Sequence, residues 1–304
     1  MDKKPSKERG SRVIEKARVI VEIVGGLGNQ MFQYAAARSL AERLETSVGL
    51  DLRRFDTYCL RKPALHHLQI DAKPMLPQEM RRYPQALLQA AGRLPPAIRQ
   101  WLGCYREPSL AFDRGFESLS QPLHLSGYFQ SERYFYAIRD TLQSEFVPTD
   151  SLNEPNASLI MHMQRCNSVS LHVRRGDYVT VLQNQLIHGS CSPAYYQRAI
   201  DVMQTEIGPA TWFVFSDDID WVRLNLSLPT TVVYVEGNID QPEWDIHLMA
   251  QCRHNICANS SFSWWGAWLN NNPNKRVIVP AVWFATQLLD ASDIVPTSWI
   301  RVQN

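Results

Sequence analysis

Val19-Ile20-Val21-Glu22-Ile23-Val24 runs directly into Gly25-Gly26-Leu27-Gly28-Asn29-Gln30, and the reading of this junction decides the fold. An apolar run rich in β-branched residues is the pattern of a strand covered on both faces. Beyond the glycines, apolar residues recur at helical spacing at Met31, Tyr34, Ala35, Leu40 and Leu44. Strand, glycine turn and helix make a βα unit, where Gly25, Gly26 and Gly28 let the backbone and the unpaired N–H groups of a helix start approach a ligand. Gly26-Leu27-Gly28 also begins the dinucleotide fingerprint G-x-G-x-x-G, but Met31 occupies its last glycine position. Asp51, at the end of a second strand over 47–52, stands where a ribose-binding acid would. A bare tight turn, an NAD site and a sugar-phosphate site all stay open on this motif. Asn29 and Gln30, two amides beside the turn, favour a grip on hydroxyls or phosphate.

Working outward, the same alternation returns in the second half. Strands are expected at 169–173, 211–215, 231–235, 255–258 and 276–279, with helices at 193–204, 218–225, 242–252 and 262–270. Between the halves, Pro63, Pro74, Pro77, Pro84, Pro95 and Pro96 cut residues 53–122 into short helices and long loops. A strand follows near 124–128, Ser131 caps a helix start, and the polar stretch between Pro148 and Pro155 joins the halves, with a further helix near 156–166. The fold class is α/β, with mainly parallel sheets. We expect a solvated tail over 1–17, an N-terminal domain over 18–155 and a C-terminal domain over 156–304.

The chain of 304 residues suits two such domains. Lys+Arg of 31 against Asp+Glu of 30 leaves a net charge of +1, which excludes a general nucleic-acid coat. No stretch of about 20 apolar residues is present, and the basic N-terminus has no apolar core behind it, so neither a membrane span nor a secretory signal is expected. The six cysteines form no C-x-x-C pair, which sets aside zinc and thioredoxin-like sites and points to reduced thiols in the cytoplasm.

Ser168-Val169-Ser170-Leu171-His172-Val173-Arg174-Arg175-Gly176-Asp177-Tyr178 carries the chemistry. Period-two alternation puts Ser170, His172 and Arg174 on one face, so His172 and Arg174 project together at the strand's carboxyl end. A guanidinium fork pairs bidentately with phosphate, and Arg174 with Arg175 in a near-neutral chain suggests an anionic ligand. A surface ion pair of Arg175 with Asp177 is the competing account.

Two acidic sites invite different readings. Asp218-Ile219-Asp220 is an Asp-x-Asp that could hold a divalent ion on a nucleotide diphosphate, but a helix cap by Ser216 or Asp217, with acids in the first turn, explains it without metal. Asp245, on a helix, could accept from the two neighbouring donors of a guanine edge. Ser260 and Ser261, at a strand-to-helix junction, can serve as cap and as phosphate donors together. Trp264, Trp265 and Trp268 read as core.

Taken in order, Gly25-Gly26-Leu27-Gly28-Asn29-Gln30-Met31-Phe32-Gln33, Gly127-Tyr128-Phe129-Gln130-Ser131, His172-Val173-Arg174-Arg175-Gly176-Asp177-Tyr178, Phe215-Ser216-Asp217-Asp218 and Ser260-Ser261-Phe262-Ser263-Trp264-Trp265-Gly266-Ala267-Trp268 resemble the bacterial α1,2-fucosyltransferase family. The resemblance implies a GT-B-type fold, two Rossmann-like domains facing across a cleft, with the acceptor on the N-terminal side and GDP-fucose on the C-terminal side. It implies inverting transfer of L-fucose from GDP-β-L-fucose to O2 of a galactose-terminated glycan, with no cofactor and no metal. By similarity to the α1,6 and protein-O types, Arg174 grips the donor β-phosphate, helped by His172 and Arg175. Asp245 reads guanine and stands 261 − 245 = 16 positions before Ser261, as in the α1,6 type. Ser260, Ser261 and Phe262 line the nucleotide pocket, while Gly25, Gly26, Gly28, Asn29 and Gln30 lie at the reaction centre. Asp177 is a candidate for the base, or a salt-bridge partner of the arginines. The place of action implied is cytoplasmic, at most peripheral at the inner membrane face. The competing classes are a metal-dependent glycosyltransferase using Asp218 and Asp220, an NAD-dependent oxidoreductase built on the first turn, and a binding module without catalysis.

Overall fold

A computed structural model describes residues 18–91, 93–120, 123–229 and 231–304. The tail expected over 1–17 lies outside them. The first half holds β1 (Val19–Glu22), β2 (Val48–Asp51), β3 (Ala72–Pro74), β4 (Cys104–Arg106) and β5 (His124–Ser126) in the order β3-β2-β1-β5-β4. The second holds β6 (Ser168–Val173), β7 (Thr211–Ser216), β8 (Val232–Tyr234), β9 (His254–Ile256), β10 (Val277–Pro280) and β11 (Ile300–Val302) in the order β11-β10-β9-β6-β7-β8. Every pairing within both sheets is parallel. The two-sheet α/β plan of a GT-B-type protein is therefore present.

Topology places the motifs. β1 lies between β2 and β5, and β6 between β9 and β7, so each is the point where its sheet reverses direction. Ligands of open parallel sheets collect outside the carboxyl ends of such strands. The glycine turn follows β1 directly, and Arg174 follows β6.

β3, β4 and β11 were not expected from the sequence. Each is a three-residue strand at the edge of its sheet, and Pro74 is tolerated because an edge strand has one unpaired side. Ser131 does accept from the Arg133 amide, but it caps a 3-10 turn, Glu132–Tyr134, rather than an α-helix.

The halves share one apolar core. Helix α1 (Leu27–Arg43) packs against the helix Ser261–Leu269, with the Phe32 ring centroid 4.5 Å from Trp264 and 4.9 Å from Trp265. The three tryptophans are fully buried, and each indole N–H is satisfied: Trp264 by the Ile294 carbonyl, Trp265 by the Gly28 carbonyl and Trp268 by Glu132. They are core, as the sequence suggested, and core that spans both sheets.

Candidate active site

The two helix starts meet at Gly28. A Cβ there would lie 2.6 Å from the Ser261 carbonyl carbon and 2.7 Å from the Phe262 nitrogen. Only a glycine allows the backbone after β1 to touch the backbone after β9. Gly25 is needed for another reason, its φ of +87°. Gly28 thus serves helix contact, not the ligand approach expected of it.

Gln30 is likewise committed. Fully buried, it donates to the Gly25 and Lys62 carbonyls at 2.8 Å each and accepts from the Ala64 amide at 2.8 Å. It fastens the turn to the loop at 62–64, and a role in gripping the donor is not left to it. Asn29 is half-buried, and its Oδ1 accepts from Gln130 Nε2 at 2.8 Å.

Across the cleft, Arg174 is held between two carboxylates. Its guanidinium bonds Asp177 Oδ1 on one side and lies 2.8 Å from Asp217 Oδ2 on the other, over the Tyr178 ring. Asp217 also accepts from the Arg175 amide at 2.8 Å, and a Cβ on Gly176 would strike it at 2.4 Å. Gly176 is therefore what lets Asp217 reach the arginine loop. Arg175 turns away: its Nε lies 3.0 Å from Asp218 Oδ2, and its guanidinium stacks 4.0 Å over Trp221. Its ion-pair partner is Asp218, not the Asp177 that the competing account named.

Asp177 is a junction. Besides Arg174 it accepts from Asn184 Nδ2 and from Arg61 NH2, each at 3.0 Å. Arg61 comes from the first half, beside Gly26, so this ion pair joins the two halves. The cation beside the turn was not found by sequence reasoning, because a single arginine in a proline-rich loop carries no local signal.

His172 is buried, its Nδ1 has no partner, and its ring lies 5.5 Å from that of Phe262. Burial, aided by Arg174, pushes the imidazole down to about 3. A neutral imidazole offers a phosphate a hydrogen bond and no charge. Ser260, not Ser261, caps the helix, accepting from the Phe262 amide at 3.3 Å; Ser261 and Phe262 are half-exposed. Asp245 is raised to about 6 by burial, against the bond it accepts from Asn238 at 2.9 Å. One carboxylate oxygen is already paired.

The alternative sites fare differently. Asp218 is the cap of the next helix, accepting from the Trp221 amide, while the Asp218 amide donates to Ser216. The cap reading holds with the residue corrected from Ser216 or Asp217 to Asp218. Asp220 is 89% exposed and paired with Arg223, so the Asp-x-Asp carboxylates belong to separate ion pairs. Asp51 is buried and receives Arg53 at 2.7 Å and His124 at 2.8 Å, which together hold it well below the usual carboxylate range despite its burial. It has no room left for a ribose. Among the described residues, no helix is long and apolar enough to cross a membrane.

The profile of Glycosyl transferase family 11 matches residues 105–303. An alpha-1,2-colitosyltransferase of Escherichia coli is 35% identical over 94% of this chain and 99% of its own length. The O-antigen biosynthesis glycosyltransferase WbnK of Escherichia coli is 32% identical over 91% and 98%. The galactoside alpha-(1,2)-fucosyltransferase 1 of Saimiri sciureus is 28% identical over 81% of this chain and 63% of its own length. With paired switch-point loops facing each other and these relatives along its length, the chain belongs to glycosyltransferase family 11 and is a glycosyltransferase.

Proposed function

We propose that the enzyme transfers L-fucose from GDP-β-L-fucose to the 2-hydroxyl of a terminal galactose on a glycan, with inversion at the anomeric carbon and without a metal on the diphosphate. The observation that carries this reading is Arg174, a guanidinium at the switch point of the second sheet, clamped between Asp177 and Asp217. The names of three relatives agree on transferase chemistry, and two of them specify an α1,2 linkage.

As the fucosyl C1–O bond to the diphosphate breaks and the galactose O2 bonds to C1, the hydroxyl proton passes to water and negative charge gathers on the departing GDP β-phosphate. Arg174 meets that charge in place of a metal ion, and Asp217 fixes the plane of the fork so that little reorganisation is needed. The start of the helix Ser261–Leu269, with Ser260, Ser261 and Phe262, receives the rest of the nucleotide, and the free oxygen of Asp245 accepts from the guanine edge. Asn29, held by Gln130, faces the acceptor from the other side. Asp177 has its oxygens engaged by Arg61, Arg174 and Asn184, so its part is to hold cations, not to take the acceptor proton.

A second reading changes only the sugar. A relative 35% identical is named a colitosyltransferase, and colitose is fucose without its 3-hydroxyl. Incubation with GDP-fucose and with GDP-colitose, each with lactose and excess chelator, separates the two. A fucosyl product with an α1,2 linkage by NMR is expected. Release of free sugar only, another linkage, or transfer solely from GDP-colitose would reject the fucosyl reading.

A further inference from the structure

His67, Asp150 and Glu243 bring one imidazole nitrogen and two carboxylate oxygens within 4.8 Å of one another. None belongs to the set placed at the diphosphate. Glu243 is 1% exposed, and beyond a contact with its own backbone amide neither of its oxygens has a hydrogen-bond partner. A carboxylate taken out of water without a partner is costly, and such groups are rare unless something pairs with them. The nearest cation-forming atom, His67 Nδ1, stands 3.9 Å from Oε1, too far for a hydrogen bond.

Three separate segments meet here, and their backbones are fixed. Leu68 bridges Pro148 in antiparallel fashion, and the Thr149 amide donates to the His67 carbonyl at 2.8 Å, so His67 and Asp150 sit on neighbouring strands of chain. The His66 ring lies tilted against that of His67, with centroids 4.0 Å apart. Glu243 lies in the first turn of the helix Pro242–Gln251, which also carries Asp245. The turn before that helix is tied to the crossover by the Asn156–Asn238 amide pair at 3.2 Å, and Gln241 Nε2 donates to Asp150 at 3.3 Å.

We propose that His67, Asp150 and Glu243 bind a divalent ion of the zinc or manganese kind, which clips the first half and the crossover to the helix carrying the second half's buried acid. One nitrogen with two carboxylate oxygens suits such ions; magnesium and calcium favour oxygen alone. Bonds of about 2.1 Å require ligand atoms roughly 3–3.5 Å apart. Glu243 is buried, Asp150 exposed and His67 half-exposed, so the closing movement falls on Asp150 and His67, at the cost of the 3.3 Å bond from Gln241. A protonated Glu243 and a trapped water are the competing occupants.

The test uses the whole chain, stripped by chelator and dialysed, titrated with Zn²⁺, Mn²⁺ and Mg²⁺ by calorimetry, and with Co²⁺ by absorption. One equivalent of Zn²⁺ or Co²⁺ is expected to bind, to raise the melting temperature, and to give a cobalt spectrum without thiolate charge transfer. That last readout separates the site from Cys59, which is exposed. Glu243→Gln and His67→Ala should each weaken binding by about tenfold or more. No binding, a thiolate band, or undiminished binding in both variants would overturn the proposal. Should E243Q misfold, H67A decides alone, since His67 is half-exposed. No donor or acceptor enters the measurement, so its outcome is independent of the fucosyl reading.

Discussion

Gly28→Ala probes a tight backbone contact between the two halves. The new methyl would sit 2.6 Å from the Ser261 carbonyl carbon, and ordinary contact begins at 3.4 Å, so 3.4 − 2.6 = 0.8 Å of separation must be found. The obstacle is backbone at a helix start, which cannot swing aside as a side chain would. Overpacking of this kind costs about 1–3 kcal/mol, and for a chain of this length that lowers the melting temperature by about 2–5 °C. The displacement falls on Ser261 and Phe262, the residues proposed to receive the nucleotide. A misplacement near 1 Å in an active site costs about 10²-fold in rate. The assay is thermal unfolding alongside initial rates of transfer from GDP-fucose. Gly208→Ala is the control, because its φ of +72° strains alanine while nothing lies within 4 Å of the methyl. G28A that melts and transfers like the wild type would refute the reasoning. So would equal rate losses in both variants.

Asp217→Asn should leave the fold intact and reduce transfer by about 10–100-fold, since Arg174 loses one of the two groups that orient it; unchanged kcat in steady-state assays would count against that role. Asp220→Asn should transfer at the wild-type rate with excess chelator present, and a loss there would revive the metal-assisted reading. Trp265→Phe should destabilise by about 1–3 kcal/mol in denaturant unfolding, because the buried Gly28 carbonyl loses its donor. Glu107 is raised from 4.5 to about 7, chiefly by burial and against the Phe129 and Tyr128 amides it accepts from. The folded state therefore holds a proton that the unfolded state releases, so stability falls as pH rises from 4.5 towards about 7 and is level above. In Glu107→Gln that slope should vanish, shifting the difference between the proteins by at most about 3 kcal/mol across the window; equal slopes in pH-dependent unfolding would contradict the assignment.

What could be read in the sequence was what neighbouring residues decide. The strand-glycine-helix unit at 19–43 and the strand ending in Arg174 are set by alternation, apolar runs and turn chemistry within a few positions, and both stand where expected. The short edge strands β3, β4 and β11 were missed because pairing with an existing sheet, not local pattern, makes them strands. Side-chain roles failed wherever distant residues decide them. Arg175 lies against Trp221 and Asp218, Gln30 spends its amide on the loop at 62–64, and Gly28 meets a helix more than two hundred positions away. That His172 is buried beside Arg174 and its imidazole pushed down could not be read in sequence, because burial is a property of the fold.

The central claim is that Arg174 takes up the β-phosphate. Calorimetric titration of GDP and of GMP into wild type and Arg174→Ala tests it most directly, because the two nucleotides differ only in that phosphate. The account predicts that the variant loses about 2–3 kcal/mol of GDP affinity, a factor of roughly 30–150, and binds GMP as the wild type does. Equal losses for both nucleotides, or none for GDP in a correctly folded variant, would contradict it.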